Sequence, residues 1–374
     1  MNGLGKQSIT PSGIIPFHEM LPTQEAWARI EYHGIAPSFY EDANGPRVWP
    51  KELWKRIANE SRLAGIWEAT HQGAVANVID QMAKAGIKTL VMKGTALAYC
   101  LYPKPETRRR GDTDLLVQPC DLSAAREMLS KLGWTRQWDN HGVYFQENWV
   151  HDCPSGFKHV IDLHWQANDR PAFQSILPIK DLFDTAMPLR SLSASAKHPA
   201  LAYHLVQCAL NQEWHFVNGY RMGKVRVKGA HRLIWQCDLH LLIRALSFSD
   251  WQLLEAICRE KGIGPFIAAV VGRSDSLVAD GLITDKVAAL SAMPRDHRIE
   301  TLLSSSDGIS NFWLDLRATQ TWKARLGLLI NRAFPPIAHL KRKYPDTKSW
   351  PRALLVCRFL FDTAGRVLTK AFRL

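Results

Sequence analysis

The run Gly111-Asp112-Thr113-Asp114-Leu115-Leu116-Val117 constrains this chain more than any other stretch. Its apolar end suits a buried strand. Side chains alternate across a strand, so Asp112 and Asp114 project from one face while Thr113 points away. Two carboxylates about 6–7 Å apart along that face repel each other unless a cation lies between them. On a buried strand the pair would turn an acidic face toward a cation; a lone Asp-x-Asp is otherwise most often a pair of loop carboxylates in water.

The surrounding pattern supplies the buried setting. The first 50 residues show no clean period apart from a helix near Thr23–Tyr32, and a helical run begins at Pro50 and extends to Ala69. Val75, Val78, Ile79 and Met82 then fall on one helix face. Gly86 stands where a helix end favours positive φ. Ile87–Met92 reads as a buried strand, and Lys93-Gly94-Thr95 leads into a short helix, Ala96–Leu101. Asp112–Val117 is the second strand. Asp121 is suited to cap a helix that ends at Gly133. Two more strands, Gly142–Val150 and Phe157–Trp165, flank a Pro154-Ser155-Gly156 turn. Beyond Arg190 the pattern is almost wholly helical, with helices expected at Lys197–Gln212, Ala230–Ser247, Asp250–Glu260 and Thr284–Ser291 and others after Asn311. The basic, glycine-rich stretch Asn218–Gly229 reads as a loop. The expected organisation is an N-terminal helical arm (1–70), an α/β core (71–190) and a helical C-terminal domain with a basic tail (191–374).

Composition narrows the class. With 374 residues, 46% hydrophobic and 22% charged, the chain reads as globular with two or three domains. No apolar run reaches the roughly 18 residues of a membrane span, and Met1–Phe17 lacks a secretory pattern, so a cytoplasmic protein is expected. Seven scattered cysteines without a Cys-x-x-Cys pair argue for reduced thiols.

The chemistry concentrates in three segments. Asp162, between apolar residues of a strand, can bring a third carboxylate to Asp112 and Asp114, and three such groups suit Mg²⁺ (or Mn²⁺) and displacement at phosphorus. Gly94-Thr95 opens a helix, where backbone N–H groups can hold a phosphate. Lys93 and one of Arg108, Arg109 and Arg110 can neutralise a triphosphate. His164 shares a strand face with Asp162; it either orients an acceptor or is simply packed. Asp238 falls on the apolar stripe of its helix, and either reaches the acceptor or a basic group at the cleft, or forms a buried ion pair with an arginine. His159 and His164, five apart, face opposite ways and are rejected as a zinc pair.

Together, Lys93-Gly94, Leu101-Tyr102-Pro103, Arg108, Gly111–Val117, Asp162–Trp165 and the helix Arg232–Leu239 resemble the bacterial nucleotidyltransferase-like proteins of the polymerase-beta superfamily. The family's usual Gly-Ser is Gly94-Thr95 here, which keeps the hydroxyl. The resemblance implies an α+β fold: a small polymerase-beta-like nucleotidyltransferase core with a mixed sheet, followed by a mostly helical C-terminal domain. It further implies a transferase that moves a nucleoside monophosphate from an NTP, with ATP expected, to an acceptor hydroxyl, releasing pyrophosphate. Asp112, Asp114 and Asp162 would hold the metals, and Lys93, Gly94, Thr95, Arg108 and Gly111 the nucleotide. His164 and Asp238 would lie near the acceptor.

Two rival readings remain. A metal-dependent glycosyltransferase also uses Asp-x-Asp, but gives Asp162 and Lys93-Gly94 no task. A non-catalytic binding module would keep the fold and dock a partner through the tail. From Leu316 to Leu374 there are 13 Lys and Arg against Asp346 and Asp362, a net of +11, while the rest is close to neutral. Such a tail, with Lys341-Arg342-Lys343 after Phe334-Pro335-Pro336-Ile337 and the mixed segment Ala353–Phe361, can meet an anionic membrane surface or RNA.

Overall fold

The computed structural model describes residues 22–371, except 42–44, 138–144, 155, 169, 223–224, 277–282, 306, 320, 336 and 348. The N-terminal region contains α1 (Thr23–His33), α2 (Ala36–Tyr40), α3 (Gly45–Val48) and α4 (Lys51–Lys84). The two helical runs expected around Pro50–Ala69 and Val75–Met82 form one 34-residue helix, so α4 passes unbroken through residue 70. Gly65 and Gly73 sit inside it with open space where a Cβ would be, so neither is required to break it. Gly86 follows with a φ of 77°, and Ile87 N–H reaches back to the Met82 carbonyl, which closes the helix end.

The core follows with β1 (Thr89–Met92), α5 (Lys93–Cys100), β2 (Thr113–Val117), α6 (Leu122–Lys131), β3 (Thr135–Arg136), β4 (Gln146–Asp152) and β5 (Lys158–His164). Asp121 stands at the N-cap of α6 but its side chain makes no capping hydrogen bond. The strand expected at Gly142–Val150 begins at Gln146, and its first residues lie partly outside the described ones. The five strands form one mixed sheet in the order β1-β2-β5-β4-β3. Only β2 and β5 pair in parallel.

The pleat divides the sheet's two faces. Val91, Leu115, Val117, Ile161 and Leu163 pack with the α4 stripe of Val75, Val78, Ile79 and Met82 and with Ala125 and Leu129 of α6. Leu90, Met92 and Leu116, which alternate with them, pack into the helical half. That half holds short α7 (Pro171–Gln174) and α8 (Ile179–Asp184), then α9 (Leu201–Asn218), α10 (Leu233–Ala245), α11 (Phe248–Lys261), α12 (Gly264–Ser276), α13 (Thr284–Ser291), α14 (His297–Ser304) and α15 (Gly308–Ala318). It ends with α16 (Trp322–Ala333), α17 (Ile337–Lys343) and α18 (Arg352–Ala371). The architecture is α+β, as the resemblance implied.

Two expectations in this half are corrected. Lys197 and His198 do not begin a helix; they form β7 (Lys197–His198) against β6 (Met187–Pro188), and α9 starts at Leu201, just past Pro199. Asn218–Gly229 is not a loop but a hairpin of β8 (Tyr220–Met222) and β9 (Val225–Val227), entered through Gly219 at a φ of 88°. A third cluster joins the N-terminal arm to the helical half: Ile30, Ile35, Phe39, Leu53 and Ile57 pack with Tyr102, Ile234 and Trp235. This contact places the arm over one edge of the sheet's acidic face.

Candidate active site

The register of the sheet assembles the acidic cluster. In the parallel ladder between β2 and β5, Asp114 lies directly opposite Asp162, and Leu116 opposite His164. All four share the face turned toward the helical half, as the alternation requires. Oxygen and nitrogen atoms of Asp114, Asp162 and His164 lie within 4.8 Å of one another, and all three residues are buried. Asp112, one pleat earlier and more exposed, lines the same cleft.

Each carboxyl feels a different environment. Lys93 Nζ donates to Asp114 Oδ1 at 2.6 Å, and His164 Nε2 lies 2.8 Å from the same oxygen. Burial would raise the pKa of Asp114, but Lys93 and then His164 outweigh it and hold the carboxyl below the usual range. Asp114 Oδ2 makes no bond among the described residues. Asp162 accepts from Gln146 Nε2 at 3.1 Å and from Asn148 Nδ2. Burial, then repulsion from Asp112 and Asp114, pushes it up to about 8. Asp112, although its side chain opens to the cleft, is pushed up to about 6 by desolvation at the cleft floor and then by Asp114. Carboxyls that resist losing their protons because of one another form a donor set that a divalent cation relieves. The atoms that Asp114, Asp162 and His164 bring together therefore fit a metal ion, and Asp112 lines the same cleft.

Lys93 sits at a strained point. It is the only non-glycine residue among the described ones with positive φ, at 48°. Such strain is commonly retained where it serves a site; here it lets the chain turn from β1 into α5 while Nζ reaches Asp114. Gly94 is required for a different reason than phosphate access alone. A Cβ there would stand 2.6 Å from Arg108 Nη1.

Arg108 lines the cleft but its guanidinium is engaged by Asp238. It is buried and grips Asp238 with two N–H groups, Nε at 3.1 Å to Oδ1 and Nη2 at 2.5 Å to Oδ2. Tyr102 O–H donates to Asp238 Oδ1 at 2.8 Å. Asp238 thus forms a buried ion pair with an arginine that is itself a basic group at the cleft, which agrees with both readings. That pair borders the cleft, so it shapes the wall while its charges neutralise each other.

Thr95 faces the other way. Its hydroxyl donates to the Asp112 carbonyl at 3.1 Å, meets Thr113 Oγ1 at 2.9 Å and accepts from Arg110 Nε at 3.0 Å. Arg110 pairs with buried Glu68, which also accepts from Tyr99 O–H. His71 completes the layer, 2.7 Å from Thr113 Oγ1 and 3.3 Å from His159. This buried layer lies behind the acidic face and fixes the backbone that carries Asp112. His159 thus faces away from His164, as their spacing required. Arg109 is paired with Glu60 at the surface, and Gly111 is exposed on the cleft rim.

The cleft has a volume of about 480 Å³. Its far wall consists of residues that no local motif singled out: Trp27 and Ile30 of α1, His215 of α9, Tyr220 of the hairpin, and Arg232 and Trp235 at the start of α10. His215 stacks on Trp235 at 5.3 Å, and the Arg232 guanidinium lies 4.4 Å from the Tyr220 ring and 5.3 Å from that of Trp235. Arg232 Nε donates to the Tyr32 carbonyl at 2.6 Å. Lys93, Arg108, Arg109 and Arg110 all have carboxylate partners. Among the described cations that line the cleft, Arg232 alone has none. The resemblance had drawn attention to Arg232–Leu239, yet an isolated Arg beside a Trp carries no period or spacing that marks it as a cleft residue.

Among solved structures, the chain is similar to the crystal structure of an antigenic nucleotidyltransferase-like protein from Paracoccidioides brasiliensis, at 13% identity, covering 61% of this chain and 95% of that one with a TM-score of 0.34. No curated protein matches. The sequence profile of a family described as uncharacterised nucleotidyltransferase matches residues 21–277, from α1 through α12 and across the whole cleft. The chain belongs to this family of uncharacterised nucleotidyltransferases.

Proposed function

We propose that the protein is a metal-dependent nucleotidyltransferase that moves a nucleoside monophosphate from an NTP, with ATP the expected donor, to an acceptor hydroxyl. The observation that carries this reading is the parallel pairing of Asp114 with Asp162, with Asp112 at the same cleft. Mg²⁺ or Mn²⁺ bound to the three carboxylates would neutralise the phosphates and lower the pKa of the acceptor hydroxyl.

The remaining tasks belong to the chain. The acceptor oxygen bonds to the α-phosphorus, the bond from that phosphorus to the bridging oxygen breaks, and pyrophosphate leaves. Asp162, opposite Asp114, is assigned to help hold the metal beside the acceptor hydroxyl, and the proton the acceptor loses passes to solvent. Lys93 balances charge at Asp114 and, with Gly94, borders the phosphates. Arg232 is assigned to meet ligand negative charge on the opposite wall, since no carboxylate among the described residues satisfies it. A planar guanidinium pinned on two rings is preorganised for a phosphate. Positioning and charge neutralisation provide most of the rate in such transfers.

Incubation with each α-labelled NTP and Mg²⁺ tests the reading. Label transferred to an acceptor from a cell extract, lost in Asp114→Asn, supports it. Incorporation that is equal in the variant, or label that never leaves the nucleotide with any extract, contradicts it.

A further inference from the structure

We propose that α16 lies flat in the headgroup region of an anionic membrane and tethers the protein there. The inference is independent of the transferase reading. Trp322, Leu326, Leu329 and Ile330 are 69%, 46%, 44% and 48% exposed, and Phe334 just beyond the helix is 50% exposed. At about 100° per residue, positions 322, 326, 329, 330 and 333 fall within a sector of roughly 100°. They form one continuous apolar stripe open to solvent.

Cations border that stripe on both sides. Lys323 lies on one flank and Arg325 and Arg332 on the other, all exposed. Their aliphatic stems can lie along the apolar surface while the charges reach outward. From Trp322 to Lys343 the sequence holds six Lys and Arg and no acidic residue. Arg325 Nε donates to the Thr319 carbonyl at 2.9 Å, and the Arg332 guanidinium stands 5.8 Å from the Phe312 ring, so α16 is fixed against α15. Trp313 of α15 is a second exposed tryptophan, at 55%, and tryptophan favours the membrane–water interface.

The combination selects the occupant. A second copy paired through the same stripe would bring like charges together with no acidic residue in the segment to offset them. RNA would engage the cations but leave the aliphatic stripe in water. An anionic lipid surface takes both, since acyl chains accept the stripe and headgroups the cations. A helix of 12 residues is about 18 Å long, shorter than the roughly 30 Å hydrocarbon layer. No helix among the described residues is long and apolar enough to cross a membrane. The contact is therefore peripheral. The segment Ala353–Phe361, whose sequence suits an anionic membrane surface or RNA, is partly used internally: Leu355, Val356 and Phe359 are buried with Leu340 and Tyr344. Arg358 is tied to Asp346 at 2.8 Å.

Co-sedimentation of the full chain with vesicles tests this, using phosphatidylcholine alone and phosphatidylcholine doped with phosphatidylglycerol. The expected result is binding to the anionic vesicles only, weakened by salt. Leu326→Glu with Leu329→Glu lowers the partition coefficient about tenfold or more, and Lys323→Gln with Lys341→Gln lowers it about thirtyfold. Both pairs are exposed, so circular dichroism stays that of the wild type. Anionic-vesicle binding unchanged in both variants overturns the proposal, as does equal binding to neutral vesicles. Absence of vesicle binding overturns it too, whether the chain instead retains a single-stranded RNA or forms a dimer that Leu326→Glu dissolves in light scattering.

Discussion

Asp238 and Arg108, 130 residues apart in sequence, form a buried two-pronged ion pair that joins the helical half to the loop entering β2. Tyr102 adds a third bond to the same carboxylate. The motif pieces Leu-Tyr-Pro, Arg108 and the α10 signature thus meet in one contact. Removing one partner leaves the other charge buried and alone. Asp238→Asn is therefore expected to cost about 3–5 kcal/mol of stability. The double variant Asp238→Leu/Arg108→Met should recover most of that loss in urea denaturation.

Gly94 and Lys93 separate packing from charge. A Cβ at 94 would press on a guanidinium that Asp238 holds in place. Gly94→Ala is expected to lower stability by about 1–3 kcal/mol. At Lys93 the φ of 48° strains any residue with a Cβ. Lys93→Gly is expected to be about 1 kcal/mol more stable than Lys93→Ala, with both variants equally deprived of the cation beside Asp114. Chemical denaturation of the two checks this.

How far the sequence revealed the site follows from the same residues. The alternation in Asp112–Val117 and the apolar flanks of Asp162 carry their own periods, so both strands and the face of each carboxylate were legible. Strand pairing has no local signal, so the 48-residue separation of Asp114 and Asp162 was bridged by the chemistry of a third carboxylate in an apolar strand and then by the resemblance. The far wall was hidden because Trp27, Tyr220 and Arg232 come from separate elements, and their proximity depends on how α1 and the hairpin pack on α10. The hairpin itself was misread because glycines and cations at 219–229 mark a loop as well as a turn between short strands. Gly65 lowered helix propensity but could not break α4, whose Val75–Met82 stripe is anchored on the sheet.

Metal affinity should depend on pH with a definite sign. The carboxyls of Asp112 and Asp162 are pushed up to about 6 and 8, so below those values protons compete with the metal. Raised carboxyl pKa values also make the metal-free protein lose stability as pH rises through about 8. The Mg²⁺-induced increase in melting temperature is therefore expected to be small at pH 6 and to grow toward pH 8. Thermal scans with and without Mg²⁺ across that range check the trend.

Arg232 and Arg109 make a matched pair. Arg232 has no carboxylate partner among the described residues, whereas Arg109 is paired with Glu60 at the surface. Replacing Arg232 by Gln should weaken Mg²⁺-dependent binding of a non-hydrolysable ATP analogue about tenfold, and Arg232→Lys should restore little of it because Lys lacks the planar fork. Arg109→Gln should change the affinity less than about twofold. Calorimetric titration compares the three.

The most direct test of the account is Mn²⁺ binding, followed by electron paramagnetic resonance with the same ATP analogue, in wild type, Asp114→Asn and Asp162→Asn. Asp162→Asn removes a repelled buried carboxylate and is expected to stay folded, whereas Asp114→Asn deprives Lys93 and His164 of a shared partner and costs stability, so affinities are compared at a temperature where circular dichroism shows both folded. The account predicts that each loses Mn²⁺ affinity at least about tenfold and that nucleotide binding falls with it. Unchanged Mn²⁺ and nucleotide binding in folded Asp114→Asn and Asp162→Asn would contradict it.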